Sequence, residues 1–528
     1  MPTPIDWPTR DPVAHRVAAT PQRTALIDVA TDTDWTFREY DRRVDRLAAA
    51  LESAALAGER IGVLMDTRPA FATLFFAAMR TGTVAVALNV RETTGELAAK
   101  VARTDLTAIV CERGTEATAL EVATDTGSVD VYSVDEPQRD RTRMLARPET
   151  SATLEAAPER DAQLVEATTL ARDETQLIMF TSGTSGEPKA VRLTVGNLVA
   201  SATASAFRLG VGPDDRWLCC LPMYHMGGLA PVVRSALYGT PVVIQRAFEP
   251  TATARVLENY SVTGVSLVPT MCKRLLDAGW EPADALRFVL LGGAPASSEL
   301  LERCRERDVP VCPTYGMTET ASQIATALPD EVAAHEGTVG QPLVFTEVSV
   351  VDETGTPVEP GQQGELVVSG PTVTPGYLDD NHTEAAFDDR GLHTGDVGYR
   401  DADGRLWILN RRSDRIVTGG ENVDPGEVVA ALRDHPRVED AAVVGLEDEE
   451  WGERVAALVV PDADSSSDKS TLELRALLAH CDDRLAGFKQ PKTIGIVDAL
   501  PRTASGTVDR EAVRDRLLAD GIDVSEEP

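Results

Sequence analysis

The stretch Thr181 to Lys189 reads T-S-G-T-S-G-E-P-K. Four hydroxyls, two glycines and one lysine follow the apolar run Leu177 to Phe180, which reads as a buried strand. A loop of this composition offers backbone N–H groups, hydroxyls and a cation to an anion, which is what a polyphosphate needs. The spacing G-x-x-x-x-G-K-[ST] of a Walker loop is absent. Flexible surface turns share this composition, so the loop alone does not decide between the two readings.

Other segments bear on the choice. L-P-M-Y-H-M-G-G runs from Leu221 to Gly228, L-G-G-A-P from Leu291 to Pro295, and Y-G-M-T-E-T from Tyr315 to Thr320. T-G-D follows at Thr394 to Asp396, then N-R-R-S-D-R-I-V-T-G-G-E at Asn410 to Glu421 and P-R-T-A-S-G-T-V-D-R at Pro501 to Arg510. Together with the loop, these six segments in this order resemble the adenylate-forming superfamily of acyl-CoA synthetases, luciferases and peptide-synthetase adenylation domains. The resemblance runs from about Trp7 to about Leu518.

It implies a two-step reaction. A carboxylate attacks the α-phosphate of ATP with Mg²⁺, giving an acyl-adenylate and pyrophosphate, and a thiol, usually that of coenzyme A, then displaces AMP. Such displacement at phosphorus is mostly positioning and charge neutralisation. By resemblance, Thr181, Ser182, Gly183, Thr184 and Lys189 hold the β- and γ-phosphates. Thr318 meets the α-phosphate and Glu319 binds the metal as a hard oxygen ligand. Tyr315 lies against adenine beside Gly293 and Ala294, and Asp396 accepts from the ribose hydroxyls with Arg411 nearby. His225 gates the acyl pocket, in which Thr270 is also expected. Taken singly, Asp396 reads equally as a turn aspartate, Tyr315 as a core aromatic and His225 as a satisfied core histidine.

Two positions depart from the family pattern. Its C-terminal motif ends in G-K, and the lysine bridges the acyl carboxylate and the α-phosphate; here Thr507 follows Gly506. A hydroxyl does not replace a cation. Arg502 and Arg510 are the neighbouring cations, and slower adenylation or a non-catalytic nucleotide-binding relative are the other options. The hinge position, usually Asp or Lys, is Ser413.

Within the superfamily, the N-terminal half most resembles o-succinylbenzoate–CoA ligases of menaquinone biosynthesis. The segments that carry this are Trp7 leading into A-T-P-Q-R-T-A-L, A-V-A-L-N-V-R at Ala85 to Arg91, and H-M-G-G-L-A-P-V-V-R-S at His225 to Ser235. Arg234, nine residues past His225, is expected to pair with a second carboxylate on the substrate; a surface or helix-capping arginine is the plain alternative. A ligase for another aromatic or fatty acid, or one that acylates a carrier protein, would share every other motif.

The elements that must position these residues are legible as a pattern. Short apolar runs (Ile61 to Met65, Thr83 to Leu88, Thr107 to Cys111, Val265 to Val268, Arg287 to Leu291) alternate with helix-like stretches such as Pro69 to Arg80 and Leu97 to Ala102. This predicts an α/β fold of parallel sheets covered by helices, with ligands at the carboxyl ends of strands. Val348 to Val368, with turns at E-T-G-T-P and E-P-G-Q-Q-G, predicts hairpins or a small barrel-like β part, and Arg405 to Leu409 a further strand. A boundary at Asn410 to Ser413 is expected to divide an adenylation domain, residues 1–410, from a small mobile α+β lid, residues 411–528. In the lid, Asp424-Pro425-Gly426-Glu427 reads as a helix start. Strands Ala441 to Leu446 and Val455 to Val460, a polar linker Asp462 to Ser470, and helices near Leu472 to Ala479 and from Arg510 complete it.

The bulk numbers bound the partners. A length of 528 residues implies more than one core. A net charge of −33 opposes nucleic acid or an anionic membrane surface as partner. Six lysines stand against 45 arginines, and this lysine-poor acidic surface suggests a high-salt cytoplasm. Seven cysteines without a C-x-x-C fit a reducing compartment and oppose a zinc site. M-P-T-P-I-D-W is no signal segment and no transmembrane run is seen. The expected partners are a small carboxylic acid, ATP and CoA; oligomeric state is left open, a homodimer being one option.

Overall fold

A computed structural model describes residues 9–127, 129–146, 168–181, 188–411, 416–418, 421–423, 425–448, 451–462, 474–482, 484–485, 487–503 and 507–524. The chain divides into two compact units: Met1–Ser349 with Val367–Leu392 and Ala402–Leu406, and Val350–Leu366 with His393–Asp401 and Trp407–Pro528.

The first unit holds two sheets. After Thr24–Asp28 (β1) and Thr33–Thr36 (β2), the chain forms Arg60–Leu64 (β3), Val84–Ala87 (β4), Ala108–Cys111 (β5), Asp130–Ser133 (β6), Arg143–Met144 (β7), Thr175–Thr181 (β8) and Lys189–Thr194 (β9). These seven make one sheet in the order β7-β6-β5-β3-β4-β8-β9. All its pairs are parallel except β8 with β9.

The chain then adds Trp217–Cys219 (β10), Val242–Ile244 (β11), Gly264–Leu267 (β12), Phe288–Leu291 (β13), Val311–Tyr315 (β14), Ala325–Thr326 (β15) and Gln341–Pro342 (β16). With β1 and β2 they form the second sheet, β16-β15-β14-β13-β12-β10-β11-β1-β2. The six strands from β14 to β1 are parallel. Strands β5 and β13 are buried along their whole length, as the unbroken apolar runs A-I-V-C and F-V-L-L require when helices cover both faces.

Local sequence sets the helices between them. Thr36 and Glu39 form a capping box at the start of Phe37–Ser53, and Thr194 with Asn197 at the start of Val195–Leu209. Pro69 opens Pro69–Thr81, which is apolar on nearly every face and buries Phe71, Phe75 and Phe76. Its one buried cation, Arg80, is paired by Asp11, Asp41 and Asp45, so the charge is compensated.

In the second unit, strand neighbours Gly452–Pro461 and Val438–Asp448 are antiparallel over most of their length. Thr493–Ile496 runs parallel to Gly452–Pro461, and Ile416–Thr418 pairs its other end. Helices Pro425–Arg433, Leu474–Asp482 and Arg510–Asp520 accompany this sheet. The expected hairpins are the strands Glu347–Val351 and Gln363–Ser369, with Gly391–Arg400 and Leu406–Arg411 further along. Asp424 and most of the Asp462 to Ser470 linker lie outside the described residues.

Candidate functional site

Four segments that carry expected site residues leave four consecutive parallel strands at their carboxyl ends. They follow β10, β12, β13 and β14, which are neighbours in the sheet. This is where an open α/β sheet places a ligand.

After β14, Tyr315 is half-buried, and the turn Thr318–Thr320 places Glu319 only 5% exposed. After β13, Gly293 takes φ +81°, a left-handed conformation that favours glycine, and Ala294 is exposed beside it. A Cβ on Gly292 would come within 2.7 Å of the Thr314 side chain, so this loop passes tightly beside the strand bearing Tyr315. After β12, Thr270 is exposed in the first turn of helix Pro269–Asp277.

After β10, the chain turns at Leu221 and Pro222 into helix Met226–Tyr238, for which His225 is the N-cap residue. Glycine is required at 228, where a Cβ would meet the Pro222 carbonyl oxygen at 2.2 Å. The His225 Nε2 is buried with no hydrogen-bond partner. Burial, with the nearby charges of Lys100 and Arg91, pushes its pKa down to about 4, so the ring is neutral at pH 7.

The same helix carries Arg234, 2% exposed. Its Nη2 donates to Ser322 Oγ at 3.1 Å, its guanidinium carbon lies 5.1 Å from the Trp217 ring centroid, and its Nε has no partner. Among the described residues no carboxylate forms an ion pair with it. Burial lowers its pKa to about 10. The helix-surface arginine allowed by the sequence is therefore excluded. Ser322 sits at φ +129° and Ala321 at φ +52°, strained values that over-determined surroundings must hold. The Ser201 hydroxyl, donating to the Ala321 carbonyl at 2.9 Å, is one such restraint.

In the other sheet, Thr181 ends β8 and Lys189 opens β9, directly opposite each other in the ladder. The loop they close contains Ser182, Gly183 and Thr184, which lie outside the described residues. The Lys189 ammonium stands 5.3 Å from the centroid of the Tyr377 ring, and the Tyr377 hydroxyl donates to Glu319 Oε1 at 3.0 Å. Lys189 and Glu319, 130 residues apart in the numbering, thus meet one aromatic side chain, the lysine at its ring and the carboxylate at its hydroxyl. Sequence reasoning missed Tyr377, Trp217 and Ser322. The signal for the first was Gly376, whose φ of +136° fixes the bend before it.

Asp396 lies in the second unit, buried within Gly391–Arg400, and its N–H donates to Thr394 Oγ1 at 3.0 Å. Arg411 ends a strand of that unit, and Ser413 lies outside the described residues. Thr507 is described: its hydroxyl lies 2.7 Å from that of Thr503. Among the described residues no three His, Cys, Asp or Glu side chains gather into a metal cluster. A buried carboxylate such as Glu319 fits instead a metal that arrives with phosphates and keeps most of its other ligands.

Parallel sheets with the expected site residues at their strand ends, a buried carboxylate and a lysine on one tyrosine, and a second small unit define a nucleotide-using α/β enzyme. The chain belongs to the AMP-binding enzyme family, whose model matches residues 13–378; the C-terminal domain of AMP-binding enzymes matches residues 427–507. It is 36% identical over 508 residues to a 2-succinylbenzoate–CoA ligase of Bacillus pumilus, covering 96% of this chain and 98% of that one. The o-succinylbenzoate CoA synthetase of Bacillus subtilis in complex with the acyl-adenylate intermediate OSB-AMP superposes with a TM-score of 0.84 at 33% identity, over 96% of this chain and 98% of that one. Its complex with ATP and magnesium ion gives 0.83 at 33% identity, over 96% and 99%. No described helix is long and apolar enough to cross a membrane.

Proposed function

We propose that the chain is an ATP-dependent, AMP-forming o-succinylbenzoate–CoA ligase, acting in menaquinone biosynthesis. The observation that carries the choice of acid is Arg234, a buried guanidinium with no carboxylate partner among the described residues. An unpaired buried cation is costly, and a second carboxylate on the substrate compensates it. Full-length similarity to 2-succinylbenzoate–CoA ligases supports the same reading.

In this reading the aliphatic carboxylate of the acid attacks the α-phosphorus of ATP. The new P–O bond forms as the bond to the β-phosphate oxygen breaks, and pyrophosphate leaves. The thiol of CoA then attacks the acyl carbon, loses its proton, and AMP departs. Thr181, Ser182, Gly183, Thr184 and Lys189 hold the β- and γ-phosphates, and Thr318 the α-phosphate. Glu319 would hold Mg²⁺, which supplies neutralisation of phosphate charge when bound. Tyr315, Gly293 and Ala294 face adenine, and Asp396 with Arg411 the ribose. His225, being neutral, closes the acyl pocket with Thr270 without competing with the phosphates for the reacting carboxylate. Residues 411–528 act as the lid, with Ser413 at the hinge.

The test is thioester formation from o-succinylbenzoate, benzoate and octanoate in high potassium chloride. The dicarboxylate is expected to have the highest kcat/KM. If benzoate or octanoate is the better substrate, the acid is wrongly assigned. If no acid releases pyrophosphate, the chain is a nucleotide-binding relative without the reaction.

A further inference from the structure

Tyr377 belongs to none of the segments assigned above, yet it touches both charges of the phosphate end. It is 3% exposed. The chain is stitched on both sides to hold it there. The Arg192 N–H donates to the Gly376 carbonyl at 3.1 Å and the Leu378 N–H to the Ala190 carbonyl at 2.9 Å, so residues 376–378 lie along β9, the strand that begins with Lys189. On the other side, the Thr374 N–H donates to the Glu319 carbonyl at 2.7 Å. The Tyr377 N–H itself donates to Thr383 Oγ1 at 2.9 Å, and a Cβ on Gly376 would meet that threonine at 2.5 Å.

We propose that Tyr377 is a positioning residue for nucleotide binding: its hydroxyl orients the Glu319 carboxylate toward the metal, and its ring face fixes the Lys189 ammonium toward the phosphates. The proposal rests on the phosphate and metal reading of those two residues. A hydroxyl donating to a carboxylate is a charge-assisted bond that fixes the orientation of the group. A lysine over an aromatic face gains cation–π attraction without losing its ammonium donors to a competing carboxylate. One side chain thus meets the cation at its ring face and the anion at its hydroxyl.

Two variants divide the two roles. Tyr377→Phe keeps the ring and removes the hydroxyl; Tyr377→Leu removes both. ATP binding is followed by calorimetry across a magnesium titration, and pyrophosphate release under the same conditions. Tyr377→Phe is expected to need about tenfold more Mg²⁺ for half-maximal ATP binding, with metal-free ATP affinity and the KM for o-succinylbenzoate unchanged. Tyr377→Leu is expected to lose metal-free ATP affinity as well. In a Glu319→Gln background, Tyr377→Phe should add nothing. A purely structural tyrosine would lower the melting temperature and leave the magnesium dependence where it was. An unchanged magnesium dependence in Tyr377→Phe overturns the proposal, as does a shift of equal size in the Glu319→Gln background. If the unmutated protein binds no ATP with Mg²⁺, the phosphate reading itself falls and takes this proposal with it.

Discussion

The guanidinium carbon of Arg234 lies 5.1 Å from the centroid of the Trp217 ring, buried, with Ser322 Oγ as its hydrogen-bond acceptor. A buried cation held, among the described residues, by a ring face and a hydroxyl without a carboxylate is under-compensated. Arg234→Leu is therefore expected to lower kcat/KM for o-succinylbenzoate by about 2–5 kcal/mol, the scale for losing one partner of a buried charge pair. Benzoate, which has no second carboxylate, should lose much less. The melting temperature should stay the same or rise, since the substitution removes a desolvated charge. A drop in melting temperature with equal losses for both acids would show that Arg234 is structural.

Much of this was legible in the sequence because it is local. The runs Thr107 to Cys111 and Arg287 to Leu291 could only be buried strands, and they are β5 and β13. Glu319 and Tyr315 were singled out because they share one short motif at a strand end. Tyr377 was not, because its meaning comes from a contact with a residue 58 positions away, and a tyrosine after Pro-Gly looks like any turn aromatic. Arg234 was singled out by its spacing from His225, but the lack of a carboxylate around it among the described residues is a property of packing. The left-handed backbone at Ala321 and Ser322 had no signal, since neither residue type favours it.

Lys189 opens β9 opposite Thr181 and is partly buried, with its ammonium over the Tyr377 ring. Lys189→Ala is expected to remove a charge-assisted contact with the polyphosphate worth about 1.5–3 kcal/mol. ATP dependence of pyrophosphate release measures it. An unchanged apparent affinity and rate would remove Lys189 from the site.

His225 has a pKa of about 4 in the folded chain, against 6.5 for the exposed ring. Between these values the unfolded chain binds a proton that the folded chain excludes. Stability is therefore full above pH 6.5 and falls as the pH drops toward 4, by about 2–3 kcal/mol from this group at the lower end. Urea denaturation of the unmutated protein and of His225→Gln across this range tests it. The gap between the two should change in favour of the variant as the pH falls; parallel curves would mean the ring protonates in place.

With a net charge of −33, the folded chain repels itself. Raising potassium chloride from about 0.1 M to about 1 M shortens the screening length from about 10 Å to about 3 Å. The urea midpoint is expected to rise steeply over that interval. A flat response would mean that the acidic surface is compensated locally by its arginines.

Thr507 stands where the family carries a lysine, and its environment in the second unit is tight. The Thr503 N–H donates to the Thr507 carbonyl at 2.8 Å, and the two hydroxyls are 2.7 Å apart. The neighbouring cations are engaged within the same unit. Arg502 Nη2 donates to Asp440 Oδ2 at 2.8 Å, and Asp440 also pairs with Arg433. Arg510 Nη1 donates to the Val443 carbonyl at 3.4 Å. If the missing charge limits adenylation, Thr507→Lys should speed pyrophosphate release, while thioester formation from supplied acyl-adenylate stays similar. If an arginine has taken the role, Thr507→Lys should do little. Arg510→Ala or Arg502→Ala should then slow adenylation. Single-turnover pyrophosphate release in the three variants separates these cases. No effect in any of them would mean that the charge developing on the α-phosphate is met entirely from the first unit.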